Sequence, residues 1–157
     1  MAEVTPLVGI LTGSASDLPV MQQAGAILER FEVPHELHVM SAHRNPDAVD
    51  AYASMAEERG LRVLICGAGM AAHLAGAVAA RTTLPVIGVP ILSDTLGGAD
   101  ALFATVQMPR GVPVATVAIG GAVNAAILAV QILATSDESL RVRLREFKQS
   151  LGEGLKI

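Results

Sequence analysis

The segment SAHRNPD, residues 41–47, sets His43 directly beside Arg44 where the chain should turn. Histidine is the side chain that titrates near neutrality unaided, so His43 is the natural acid/base candidate. Arginine offers a planar fork of donors that suits phosphate or carboxylate. Cations are scarce: six arginines precede residue 141 and the first lysine is Lys148. Arg30, Arg59, Arg62 and Arg81 fall on helical segments or beside their ends, where solvated positions are expected, whereas Arg44 and Arg110 fall in loops. The arginine charge would lower the His43 pKa and a bound phosphate dianion would raise it, so spacing alone leaves that balance open.

A second loop, GSASD, pairs the tight-turning Gly13 with the hydroxyls of Ser14 and Ser16, ahead of a helix start. Free N–H groups and the positive dipole end there suit a phosphate. The segment lacks the GKS/GKT of a P-loop and the GxGxxG of a dinucleotide fingerprint, so an ordinary capping turn is the competing reading. Asp17 can cap the helix or accept from a sugar diol, and spacing favours the cap. A third loop, GAGMAAHL, is small enough for a flat ligand to lie against its backbone. His73, near the next helix start, reads either as a ligand contact or as a partner for backbone groups. His35 and His38, three apart on a strand, point to opposite faces and carry no expected function. No metal site emerges from the histidine and carboxylate spacings. The segment QMPRGVP, residues 107–113, suits a lid or a subunit contact, with Arg110 either an anion contact or a solvent-facing charge. Cys66 lies in an apolar run and reads as a small buried hydrophobe.

These loops need elements to hold them. One pattern recurs: a short apolar run, a Gly/Ser/Asp/Asn cluster, then a helix. Strands are expected at about residues 7–11, 35–39, 63–66, 86–89 and 114–119. Helices are expected at about 19–31, 46–59, 73–81 and up to 133, with a short one inside 93–106. Asn45 followed by Pro46 gives cap then first-turn proline, and Gly60 gives the stop. Apolar strands alternating with helices make a parallel sheet buried on both faces. The expectation is one α/β domain over residues 1–157: a three-layer αβα sandwich of flavodoxin-like or Rossmann-like type, its core at about 8–133. Ligands in such sheets bind at the carboxyl ends of the strands, where the three loops would meet. A last helix at about 137–152 carries Leu140, Leu144, Phe147 and Leu151 at helical period. It has no evident place in the sandwich and is expected to pack on a neighbouring subunit.

Composition narrows the class. Aromatic residues make up only 3%, so the core must be built from Ala, Val, Leu and Ile. Charged residues make up 17%, against the usual ~25%, too few to cover a small surface, and this points to a homo-oligomer. A net charge of −4 without a basic tract argues against nucleic acid as a partner. The two long uncharged stretches are broken by Gly, Pro or His, so no membrane span is expected, and the N-terminus has no signal-peptide pattern. A cytoplasmic location is expected.

Taken in order and at these distances, GSASD, SAHRNPD, GAGMAAHL and VQMPRGVPVATVAI resemble the N5-carboxyaminoimidazole ribonucleotide mutases of de novo purine (IMP) biosynthesis. The resemblance runs from about Val8 to Leu133. Each motif is weak alone and the ordered set is specific. It implies an isomerase that converts N5-carboxyaminoimidazole ribonucleotide to its 4-carboxy isomer by decarboxylation and recarboxylation, with no metal, ATP or biotin cofactor. By the same resemblance His43 is the general acid/base. Ser14, Ser16 and Arg44 match phosphate or ribonucleotide contacts, and Asp17 a ribose contact. Ser41, Gly69, Ala72, His73 and Leu74 match the wall around base and CO2. The family forms octamers with sites at subunit contacts. Related enzymes that carboxylate aminoimidazole ribonucleotide directly usually carry lysine after the histidine, so Arg44 points to the mutase. A direct carboxylase, and a non-catalytic nucleotide-binding protein of the same fold, are the alternatives. The sequence departs from the family pattern at Met70, where glycine is usual, and at Ala75, where proline is usual. Asn45 replaces the commoner threonine, and GGAVNAA is shorter than in some members.

Overall fold

A computed structural model describes residues 4–157. Five parallel strands form one sheet: β1 (Val8–Thr12), β2 (His35–Val39), β3 (Val63–Gly69), β4 (Val86–Ile91) and β5 (Ala115–Thr116). Their spatial order is β2-β1-β3-β4-β5, the flavodoxin-like winding. The helices are α1 (Leu18–Arg30), α2 (Pro46–Met55), α3 (Leu74–Ala79), α4 (Ala99–Val106), α5 (Ala122–Ala134) and α6 (Glu138–Gly152).

Alternation along the strands divides the core in two. Val8, Ile10, Val63, Ile65, Ile87 and Val89 face α1 and α5. Leu11, Leu64, Cys66 and Val86 face the opposite way, onto Val49 and Tyr52 of α2 and Leu74 and Val78 of α3. A fully buried aliphatic side chain of this kind stabilises by ~1.5–3 kcal/mol, which is why the inner strands tolerate almost no polar residue. Thr12 is the exception: it is buried at the end of β1, and its hydroxyl donates to the Ser14 carbonyl at 3.3 Å.

The small-residue composition has a direct use. A Cβ on Gly67 would collide with the Met21 thioether of α1, so glycine there lets the helix close on the sheet. β3 runs on through Gly69, three residues beyond the strand end expected at Cys66. The first three residues of the GAGMAAHL loop are therefore strand, and the reversal falls on Met70 and Ala71.

Other boundaries move for identifiable reasons. β5 shrinks to two residues, because beyond Thr116 the chain still follows β4 but only through single bonds, Val117 N–H to Gly88 and Gly120 N–H to Pro90. α2 ends at Met55 and unwinds through turns to Gly60, at φ +92°. Asp17 precedes α1 without capping it by its side chain. A single 3-10 turn, Ala15–Asp17, intervenes, and Ser14 caps that instead.

The C-terminal helix does have a place in the sandwich. Leu140, Leu144 and Phe147 of α6 are buried in this chain's own core. The Phe147 ring meets Phe31 edge to face at 5.3 Å, the Arg30 guanidinium lies 5.4 Å over it, and Arg143 donates to the Phe31 carbonyl. Asp137 caps the helix by accepting from Leu140 N–H at 3.0 Å. The apolar stripe thus covers the end of α1 within the same subunit.

Candidate active site

The parallel winding brings the loops after β1, β2, β3 and β4 to one rim, around a cavity of about 350 Å³. Each loop is short because its strand ends close to the next helix start. Asn45 accepts from Ala48 N–H, and Asn45 N–H donates to the Ser41 carbonyl at 2.8 Å, so residues 41–45 are wound into a turn ahead of α2.

Inside that turn Ser41 and Arg44 are locked together. The Ser41 hydroxyl oxygen accepts from both the backbone N–H and the Nε of Arg44, each at 3.2 Å. Arg44 Nη2 then donates to the Gly13 carbonyl at 2.7 Å, tying the β2 loop to the β1 loop. This aims the guanidinium at the GSASD segment. There Ser14 and Ser16 share a hydroxyl–hydroxyl hydrogen bond of 2.9 Å, and the Ser14 hydroxyl also accepts from Ser16 N–H. Two hydroxyls and a guanidinium on one cavity have the chemistry to hold an anion.

Asp17 closes that end. Partial burial raises its carboxyl above the ordinary value, more than the Ser16 hydrogen bond and the Arg44 charge lower it. It faces the cavity as an acceptor with spare capacity, having given up the helix-capping role.

The histidines meet across the cavity. Nε2 of His43 and Nδ1 of His73 are 2.7 Å apart, with the rings nearly perpendicular at 89°. At that distance one nitrogen donates and the other accepts, the direction being set by the tautomers. His73 sits at the start of α3 without capping it, which leaves its ring free for this contact.

Nine of the ten expected site residues line the cavity: Ser14, Ser16 and Asp17 after β1, Ser41, His43 and Arg44 after β2, and Gly69, His73 and Leu74 at β3 and α3. Ala72 does not. It is 1% exposed, its methyl directed into the protein while the neighbouring Ala71 takes the place in the wall. Met70 and Ala71 form the reversal, and Met70 holds φ +54°, a left-handed conformation that glycine adopts freely and methionine does not. The glycine usual at this position thus has a backbone reason. Leu92 and Ser93 complete the wall after β4 and were not anticipated. The available signal was positional: they follow the end of a parallel strand, where ligands bind.

The remaining polar residues are structural. Arg59, expected to be solvated, donates to both carboxylate oxygens of Glu36 at 2.7 Å and lies 5.2 Å over the Tyr52 ring. His35 pairs with the Val33 carbonyl, and His38 approaches Glu36 at 3.5 Å. Arg110 is exposed and away from the cavity. Among the described residues no group of three or more His, Cys, Asp or Glu side chains could hold a metal ion, and no helix is long and apolar enough to cross a membrane.

Comparison with known proteins gives one consistent result. Residues 7–153 match the family described as AIR carboxylase. An N5-carboxyaminoimidazole ribonucleotide mutase of Synechocystis is 56% identical over 151 residues, covering 96% of this chain and 86% of that protein. A phosphoribosylaminoimidazole carboxylase of Schizosaccharomyces pombe is 56% identical over 149 residues, 95% of this chain but 27% of that much longer protein. The crystal structure of Treponema denticola PurE superimposes with a TM-score of 0.85 at 29% identity, covering 94% of this chain and 92% of that one.

Proposed function

The chain belongs to the AIR carboxylase family, and from that premise we propose that it converts N5-carboxyaminoimidazole ribonucleotide to 4-carboxyaminoimidazole ribonucleotide in purine biosynthesis. The observation that carries the chemistry is the His43–His73 contact in a cavity whose other end holds Ser14, Ser16 and Arg44. The phosphate lies with the hydroxyls and the guanidinium, the ribose against Asp17, and the heterocycle against Gly69, Ala71, His73 and Leu74.

The reaction balances with one proton carrier. His43 gives a proton to N5 as the N5–carboxyl bond breaks, releasing CO2 and the free amine. C4 of the imidazole attacks that CO2, and the new C4–carboxyl bond leaves C4 bearing both carboxylate and hydrogen. His43 then takes the C4 proton, restoring the ring and itself, with no net proton consumed. The His73 contact fixes the His43 ring for both transfers. CO2 must not escape between them, which calls for a pocket of small residues that keeps water out.

The assembly we propose is a cytoplasmic homo-octamer. Leu92, Leu96, Phe103 and Ile119 stand exposed along the α4 and β5 edge, and a low charge content supports their burial between copies.

Supplying each substrate separately tests the reaction. Formation of the 4-carboxy product from the N5-carboxy isomer, without added bicarbonate, is expected. Turnover only with aminoimidazole ribonucleotide and CO2 would instead assign direct carboxylation. Binding without turnover of either would leave a nucleotide-binding protein.

A further inference from the structure

Two side-chain oxygens are buried without a hydrogen-bond partner among the described residues, Ser93 Oγ and Asp100 Oδ1. Ser93 lines the cavity and Asp100 does not. A buried hydroxyl without a partner is unfavourable, and native folds rarely keep one without a use. The backbone around it is already fixed: the Ser93 carbonyl accepts from Gly97 N–H at 3.2 Å, which sets the chain after β4. Only the hydroxyl rotor is uncommitted. One turn about χ1 carries it between staggered positions at little cost.

Its place along the rim indicates what it would meet. The anion cluster of Ser14, Ser16 and Arg44 spans the loops after β1 and β2, while Ser93 follows β4, two strands beyond β1 in the sheet. Strands lie ~4.8 Å apart, so Ser93 stands roughly 10 Å across the rim from the β1 loop. His73, after β3, falls between the two by strand order and reaches back to His43. A ribonucleotide anchored by its phosphate at the first end presents its heterocycle at the second.

We propose that Ser93 is a substrate-binding residue of this site, its hydroxyl rotating into the cavity to donate a hydrogen bond to the carboxylate on the imidazole. The inference rests on the ribonucleotide reading above. A donor there holds the carboxylate, and the CO2 derived from it, on the C4 side of the ring.

The test is Ser93→Ala, measured by binding of 4-carboxyaminoimidazole ribonucleotide and of ribose 5-phosphate, together with thermal unfolding. Loss of a hydrogen bond to a charged group weakens binding about ten- to hundredfold. The expected result is that loss for the carboxylated ribonucleotide, no change for ribose 5-phosphate, and a Tm equal to or above that of the unaltered chain. Equal effects on both ligands, unchanged affinity for the carboxylated one, or a lowered Tm would each overturn the assignment; the last would mean that the hydroxyl serves the fold. If the unaltered chain bound neither ligand, the ribonucleotide reading itself would fall, and the Ser93 role with it.

Discussion

Nε2 of His43 lies 2.7 Å from Nδ1 of His73, which joins the loop after β2 to the start of α3. The contact holds the two rings in one fixed relation, nearly perpendicular at 89°. If His43 carries the proton in the proposed reaction, His73 is the group that holds its ring in place.

Replacing His43 by Asn should remove the proton carrier and little else. We expect kcat to fall by about 10²–10⁴ while the dissociation constant for the ribonucleotide changes little. His73→Asn should lower kcat less, because it removes the orienting partner and not the carrier. Single-turnover rates and equilibrium binding measured on both variants separate these effects; wild-type turnover in His43→Asn would sink the assignment.

Arg44 braces the β2 loop against the β1 loop, and the proposed site gives it the phosphate as well. Arg44→Ala should weaken ribose 5-phosphate binding about ten- to hundredfold, the scale of a lost hydrogen bond to a charged group. Arg44→Lys keeps the charge but loses the fork that reaches Ser41 and Gly13 together. An intermediate loss is expected, read by titration calorimetry. Unchanged affinity in Arg44→Ala would remove the anion role.

The acid limb of stability should depend on Glu36. Partial burial works to raise its carboxyl pKa, but the Tyr52 hydroxyl and the Arg59 guanidinium together hold it below the ordinary value. A depressed carboxyl contributes stability above its unfolded pKa and loses it as pH falls through the folded one. Tyr52→Phe removes the 2.7 Å bond from the phenol, at a cost of about 1 kcal/mol near neutrality. It should also move the acid-unfolding midpoint to higher pH. Urea melts across the acid range check this; parallel curves for the two proteins would show that Tyr52 does not hold the carboxyl down.

Met70→Gly should stabilise the chain. The left-handed φ of +54° costs methionine about 1 kcal/mol or more, and glycine returns part of that gain through its freer unfolded state. A net rise of up to ~1 kcal/mol in the urea-derived free energy is expected. A loss would show that the Met70 side chain, though 61% exposed, contributes more by contact than its backbone costs.

The parts of this fold that were legible in the sequence rest on local signals. β2 lies where its pattern put it, and Asn45 with Pro46 begins α2 as expected, since a cap and a fixed φ act within one turn. The rim site was legible for the same reason: parallel strands send their following loops to one end, and the chemical side chains lay in those loops. What escaped depends on partners distant in sequence. Nothing in the Phe147 stripe says that Phe31 will cover it. Nothing in HELHV shows that Glu36 will collect both Tyr52 and Arg59. Ala72 lies in the right loop for the wall, but the reversal at Met70 and Ala71 turns its methyl into the protein. Ser93 carried no motif, only a position after β4.

Cys66 gives the chain a gauge of its own opening. It is the only thiol, sits 1% exposed between Leu11 of β1 and Gly88 of β4, and burial pushes its pKa up. A thiol reagent in solution therefore reads not an accessible side chain but the fraction of molecules in which the middle of the sheet has come apart. Labelling rates in native buffer, with and without ribonucleotide, would measure how far a ligand held at the rim steadies strands that it never touches.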